Sequence, residues 1–203
     1  MTATVTVGSN PFGVAFDGTN IWVTNYGPGT VGTGTVSKIN PATNAVSTPV
    51  TGLSGPYGVA FDGTSVWVAN DKAGTVSRID PTTGTVTATV TGLSGPEGLA
   101  FDGTNIWVAD NAAAATYSID KATHTLSAPI TVGSFPRDVA YDGTNIWVTN
   151  NFAATVSKID PTTRTVTATI NAGFGPDGIA FDGTNIWVAD DQLGAGTVTK
   201  LRP

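Results

Sequence analysis

Few side chains in this chain of 203 residues can carry chemistry: it has one histidine, His124, one glutamate, Glu97, and no cysteine. Without thiolates there is no cysteine nucleophile, disulfide or zinc–thiolate centre, and a serine or threonine hydroxyl attacks only when a base beside it takes its proton. His124 stands in KATHTL, where the matching residues of the other copies of that stretch are Asn44, Gly84 and Arg164. That variety marks an outer turn and not a general base oriented by a partner, and no Ser-His-Asp arrangement can be assembled. The charged residues that share a setting are different ones. Glu97, Arg137 and Asp177 each follow a proline, as do Phe12 and Tyr57, and Asp138 replaces the glycine that comes next in the other copies. A guanidinium there can hold a carboxylate or phosphate by two parallel hydrogen bonds, so Arg137 is the expected anchor of a ligand. The alternative for the same residues is a surface ion-pair network of Arg137 with Glu97 and Asp177.

The elements that must position these residues repeat along the chain. FDGTNIWVTN from Phe16 recurs as FDGTSVWVAN from Phe61, FDGTNIWVAD from Phe101, YDGTNIWVTN from Tyr141 and FDGTNIWVAD from Phe181. Trp22, Trp67, Trp107, Trp147 and Trp187 are separated by steps of 45, 40, 40 and 40 residues. A period near 40 belongs to supersecondary units that bury their faces only by stacking on their neighbours. In the second copy YGVAF, SVWVAN, TVSRID and TVTATV read as four strands, A to D. Asp62-Gly63 makes a tight hairpin between A and B, and DPTTG turns C into D. The central strands are apolar on consecutive residues and so buried on both faces, whereas D alternates as an outer strand does, with Pro49 and Pro129 in two of the D segments.

The pattern predicts an all-β fold, a single domain over residues 1–203 built as a five-bladed β-propeller of four-stranded antiparallel blades. TATVTVGSNPFG, Thr2 to Gly13, aligns with TATVTGLSGPEG, Thr87 to Gly98, and the last copy ends after its C strand. The N-terminal strand, Thr2 to Val7, is therefore expected to complete the last blade and close a monomer; an integer number of repeats would also suit a larger ring shared between chains. In such a ring Phe12, Tyr57, Glu97, Arg137, Asp138 and Asp177 precede or open the innermost strands and rim the mouth of the channel. The links between B and C vary too, with YGPGTVGTG from Tyr26 and DQLGAG from Asp191 longer than DKAG from Asp71, and recognition usually sits on such loops.

Other repeated groups read as structural. Each Trp lies between apolar neighbours and is expected in the core, with sugar stacking as the alternative. The Asp of each DGT belongs to turn chemistry, since DGTN lacks the alternating ligands of a calcium loop. Asp110 and Asp190, aligned with Asn25, Asn70 and Asn150, are cation ligands or strand-end caps. A formal net charge of -6 disfavours nucleic acid, no apolar run is long enough to span a bilayer, and MTATVTVGSNP has neither the basic nor the apolar segment of a signal peptide.

IWVTN, at residues 21–25 and 146–150, resembles the signature of YVTN-type bacterial propeller repeats, and GPDGIAFDGTNIWVAD, residues 175–190, is similar to repeats of virginiamycin B lyase-like propellers. The second resemblance implies seven blades and elimination across an ester bond with a metal, a histidine and acidic residues. Five repeats, and a histidine in an outer turn, depart from that pattern. The expectation is a non-catalytic binding or scaffold module, without cofactor or metal, of a bacterial surface or extracellular protein. Its partner would be a small polar ligand or a protein at the mouth. The alternatives are a recently amplified or engineered repeat protein and a lyase-like, metal-assisted enzyme.

Overall fold

The computed structural model describes residues 3–191 and 196–203, with the side chains of Thr48 and Pro49 also left out of the description. Most of the longer link DQLGAG therefore lies outside the described residues. Contacts divide the chain into two compact units, residues 1–96 and 97–203. Among the described residues all regular elements in both are antiparallel strands, apart from a single short 3-10 turn at Asp71–Ala73. No helix among the described residues is long and apolar enough to cross a membrane.

The first unit holds two four-stranded sheets. One runs β1 (Pro11–Phe16), β2 (Ile21–Asn25), β3 (Gly34–Ile39), β4 (Val46–Leu53); the other runs β5 (Pro56–Phe61), β6 (Val66–Asn70), β7 (Thr75–Ile79), β8 (Val86–Val90). The second unit holds β9 (Pro96–Phe101), β10 (Asn105–Asp110), β11 (Ala115–Asp120) and β12 (Ile130–Thr131) in one sheet and β13 (Pro136–Tyr141), β14 (Ile146–Asn150), β15 (Thr155–Asp160) and β16 (Thr165–Asn171) in the next. Among the described residues its last sheet has three strands, β17 (Pro176–Phe181), β18 (Ile186–Asp190) and β19 (Thr197–Leu201).

The repeated FDGT-x-x-W stretch folds by a local circuit. In β5–β6 the Asp62 Oδ1 accepts the backbone N–H groups of Thr64 and Ser65, both at 2.7 Å, and Gly63 takes φ 88° as the tight turn requires. The other oxygen, Oδ2, accepts the indole N–H of Trp67 at 2.8 Å. The same indole-to-carboxylate bond recurs from Trp22 to Asp17, Trp107 to Asp102, Trp147 to Asp142 and Trp187 to Asp182. Each Asp thus serves the turn and the polar end of its own tryptophan, so that the rest of the ring can be buried.

Sheets pack face to face through these rings. Trp22, Val36, Val50 and Leu53 of the first sheet meet Val66, Val68, Ile79, Val59 and Phe61 of the second. In the second unit Trp107, Ala109 and Ile130 meet Val139, Ile146, Val148 and Ile159, and Trp147 and Val156 meet Ile186, Val188, Ile179 and Phe181. Side chains of alternate residues thus cover opposite faces, and each central strand is apolar on both.

Two expectations about outer strands are corrected. Residues 3–7 form no strand, and among the described residues the last sheet has no fourth strand; Thr2 lies outside them. Alternation of Val and Thr specifies which side chains turn inward, but a strand exists only where a partner lies within ladder distance. The fourth strand of the third sheet, β12, is only two residues long. Pro129 has no N–H to give the ladder, and the Ser127 hydroxyl takes the Ser118 N–H at 3.0 Å.

Candidate binding site on the bulged inner strands

The residues singled out after each proline sit in a repeated irregularity. Pairing of β1 with β2 runs Pro11 to Asn25 and then Val14 to Val23, leaving an extra residue on β1; the same shift occurs in β5, β13 and β17. A bulge turns side chains out of the regular alternation, and here it re-aims Phe12, Tyr57, Arg137 and Asp177. The hydroxyl at the end of the neighbouring strand holds it. Thr24 Oγ1 accepts the Gly13 N–H at 2.8 Å and donates to the Tyr57 carbonyl of the next sheet, and Thr149 Oγ1 accepts the Asp138 N–H at 3.0 Å and donates to the Asp177 carbonyl at 2.8 Å.

In residues 1–96 the bulges gather aromatic rings. Phe12 stacks on Tyr57 with centroids 4.4 Å apart, and Tyr26 meets both edge-on at 5.7 and 6.4 Å. The Tyr26 hydroxyl donates to Asp71 at 3.0 Å, and the Lys72 ammonium lies 5.0 Å from the Tyr26 ring centroid while it donates to the Gly29 carbonyl. Phe12 remains 51% exposed, so the stack presents a face to solvent beside a cation and a carboxylate.

In residues 97–203 the same positions carry charge. Arg137 contacts Glu97 Oε2 at 2.9 Å and Asp177 Oδ1 at 3.2 Å, and buried Glu97 also accepts the Asn111 amide at 3.0 Å. The guanidinium is therefore already engaged by two carboxylates, and the expected anchor is a bridge between three strands. It also lies 5.3 Å from the Phe135 ring, which stacks on exposed Phe152 at 4.1 Å. Tyr26, Phe135 and Phe152 were not among the expected site residues. Their signal was available as aromatic residues in the links between strands.

Asp138 occupies the bulge where other copies have glycine. At Gly98 a Cβ would come within 2.5 Å of the Asp138 Cα, and at Gly13 within 2.7 Å of the Tyr57 carbonyl, so the approach of the next sheet requires glycine there. Asp138 points its carboxylate into the gap, taking the Val139 N–H at 2.9 Å and the Ile179 N–H of β17 at 3.1 Å. Burial pushes this carboxyl up to about 6, with the Asp177 charge adding to the rise and the two N–H groups opposing it. Between about pH 4 and pH 6 the folded chain holds a proton that the unfolded chain has released. The contribution of Asp138 to stability therefore falls as pH rises through that window. Asp138→Asn is expected to melt at a higher temperature than the wild type at pH 8 and at the same temperature at pH 4. A two-unit shift corresponds to at most about 3 kcal/mol. Equal effects at both pH values would place the cause in packing instead.

Other candidates fall into structural roles. The amides of Asn25, Asn70 and Asn150 donate to a Thr and a Ser hydroxyl on the adjacent strand, and Asp190 accepts from Thr197 and Thr199, which is cross-strand bracing. His124 has φ 60° in the turn after β11, where Asn44, Gly84 and Arg164 have φ 60°, 70° and 58°. Among the described residues no group of three or more His, Cys, Asp or Glu could hold a metal ion. An open cleft of about 340 Å³ in the first unit is lined by Asp17, Lys38, Phe61 and Thr82, at the end of the sheets opposite the bulges.

No family model and no curated protein matches the chain. Solved structures do. Hydrazine synthase of Kuenenia stuttgartiensis aligns with a TM-score of 0.76 at 19% identity, over 99% of this chain and 68% of that one. The Swd1 β-propeller domain of Myceliophteria thermophila aligns with a TM-score of 0.74 at 15% identity, over 94% and 65%. A functionally unknown protein of Desulfotomaculum acetoxidans gives 0.71 at 15% identity, over 98% and 71%. The chain has the β-propeller fold. It spans about two thirds of the length of the structures it matches, and identities this low carry the fold alone.

Proposed function

We propose that this chain is a non-catalytic recognition module, with its five sheets as five propeller blades, that binds through the aromatic bulges of residues 1–96. The observation that carries the reading is the stack of Phe12 on Tyr57, half open to solvent and edged by Tyr26, Lys72 and Asp71. Rigid aromatic faces beside a few polar groups are the composition of binding hot spots and of sites for small polar ligands with an apolar face. The same position in the second unit is closed by the Glu97–Arg137–Asp177 bridge, which supports a structural role for Arg137. The setting that fits such a module is a bacterial surface or extracellular protein.

A thermal-shift screen of small polar ligands and sugars against the wild type, Phe12→Ala and Arg137→Ala tests this. Hits should disappear in Phe12→Ala and persist in Arg137→Ala. Hits lost only with Arg137 would return the site to the charged bulges. A library without hits, repeated with peptides, would leave scaffolding as the better reading.

A further inference from the structure

A cleft of about 340 Å³ opens between the first and second sheets of residues 1–96, at the end away from the bulges. Its walls are Asp17 and Asn20 of the first hairpin, Lys38 on β3, Phe61 at the end of β5, and Pro81 and Thr82 of the turn after β7. The corresponding junction within residues 97–203 shows why this one is open. There Ser118 pairs with Trp107 as Lys38 pairs with Trp22. Arg164 crosses from the following sheet, donates to the Ser118 and Ser127 hydroxyls and the Ala128 carbonyl at 2.6, 2.7 and 2.9 Å, and lies over the Trp107 ring. Its counterpart beside the cleft is Gly84, which has no side chain to send across.

The walls set donors and acceptors side by side. Asp17 Oδ1 takes the Thr19 and Asn20 N–H groups at 2.8 and 2.6 Å, and Oδ2 takes the Trp22 indole N–H at 2.7 Å. Burial raises this carboxyl, but the hydrogen bonds outweigh burial and hold it below its ordinary value, so it is an ionised acceptor. Lys38 lies 5.4 Å from the Trp22 ring centroid and uses one of its ammonium donors on the Pro81 carbonyl. The Asn20 amide and the Thr82 hydroxyl each donate and accept, and Phe61 supplies an apolar wall. A charged ligand of either sign is opposed here. An anion meets Asp17 and also Asp80, whose charge interacts with Lys38, while a cation meets Lys38 itself. Hydroxyl groups that both donate and accept suit such walls, and the C–H face of a sugar ring suits an aromatic side chain. We propose that this cleft binds a neutral mono- or disaccharide, with its hydroxyls on Asp17, Asn20, Lys38 and Thr82 and its apolar face on Phe61. The volume falls at the lower end of the range for small-molecule sites. The site is separate from the Phe12–Tyr57 stack and does not rest on it.

NMR titration of the isotope-labelled full chain with glucose, galactose, N-acetylglucosamine, maltose and lactose tests the inference. The Trp22 indole N–H, bonded to Asp17, is the local reporter. At least one sugar should shift it together with the Asn20 and Thr82 amides, saturably, and Phe12→Ala should leave that response unchanged. Lys38→Met keeps an apolar stem over Trp22 and removes the donors, and should weaken binding about tenfold or more. Lys38→Ser combined with Gly84→Arg rebuilds the crossed junction. The turn accepts the arginine, since Arg164 has φ 58° where Gly84 has 70°, and a Cβ on Gly84 meets nothing within 4 Å. This double variant should keep the circular dichroism of the wild type and lose the response. The proposal is overturned if no sugar shifts the Trp22 indole, if the response survives in the folded double variant, or if acetate or phosphate shifts the reporter as strongly as any sugar. Unchanged affinity in Lys38→Met overturns it as well, whether or not the double variant folds.

Discussion

Trp107→Ala is expected to lower the unfolding free energy by about 3 to 5 kcal/mol, the range for emptying a large buried aromatic site. The ring has no exposed surface and sits among Ala109 and Ile130 of its own sheet and Val139, Ile146, Val148 and Ile159 of the next. Arg164 lies 5.4 Å from its centroid and reaches across to the Ser118 and Ser127 hydroxyls, so the cavity would also loosen a cation held over the ring. Neighbouring sheets are rigid, and collapse around the vacated volume would be incomplete. Urea denaturation with equal slopes for wild type and variant measures the loss. Trp187→Ala, at a partly exposed site, should cost well under half as much. Equal costs at the two positions would mean that burial of the ring is not what stabilises the sheets.

The second large effect lies in the hairpin carboxylates. Asp62→Ala is expected to cost about 2 to 4 kcal/mol, because it removes an acceptor used by the Thr64 and Ser65 N–H groups, the Thr64 hydroxyl and the Trp67 indole. Stranding a buried donor costs more than a hydrogen bond contributes on average. Asp62→Asn should fall between the two, since an amide oxygen can still serve the turn while its nitrogen faces the Trp67 donor. The pH dependence gives a second reading. Burial by itself would push the Asp62 carboxyl up, but its hydrogen bonds together outweigh burial and hold it below its ordinary value. A carboxyl held low in the fold stabilises above about pH 4, and that stability is lost as pH falls below it. The difference between wild type and Asp62→Ala should therefore shrink in acid, opposite in sign to the trend for Asp138→Asn. A difference constant down to pH 2 would show that the carboxylate charge is not what the donors stabilise.

The sequence by itself determined the hairpins and the inner strands of each repeat, because each is decided within about ten residues, but not the outer strands, which fail at residues 3–7 and shrink to two residues in β12. Asp-Gly sets the turn, the same Asp meets the tryptophan five residues on, and alternating or continuous apolar runs set which faces are covered. The bulge after each proline was visible only as a repeated position. Its consequence, the re-aiming of Phe12 onto Tyr57 and of Arg137 between Glu97 and Asp177, depends on the next sheet lying close enough for contact. Asp138 shows the same limit, since a glycine replaced by aspartate has no visible partner until the Ile179 N–H is brought to it. The clearest case is the decapeptide FDGTNIWVAD, which occurs unchanged from Phe101 and from Phe181. Both copies form the same hairpin and the same indole-to-carboxylate bond, yet Trp107 is buried and Trp187 is partly exposed. Local hydrogen bonds are encoded in the ten residues; burial belongs to whatever packs against them, and that lies elsewhere in the chain.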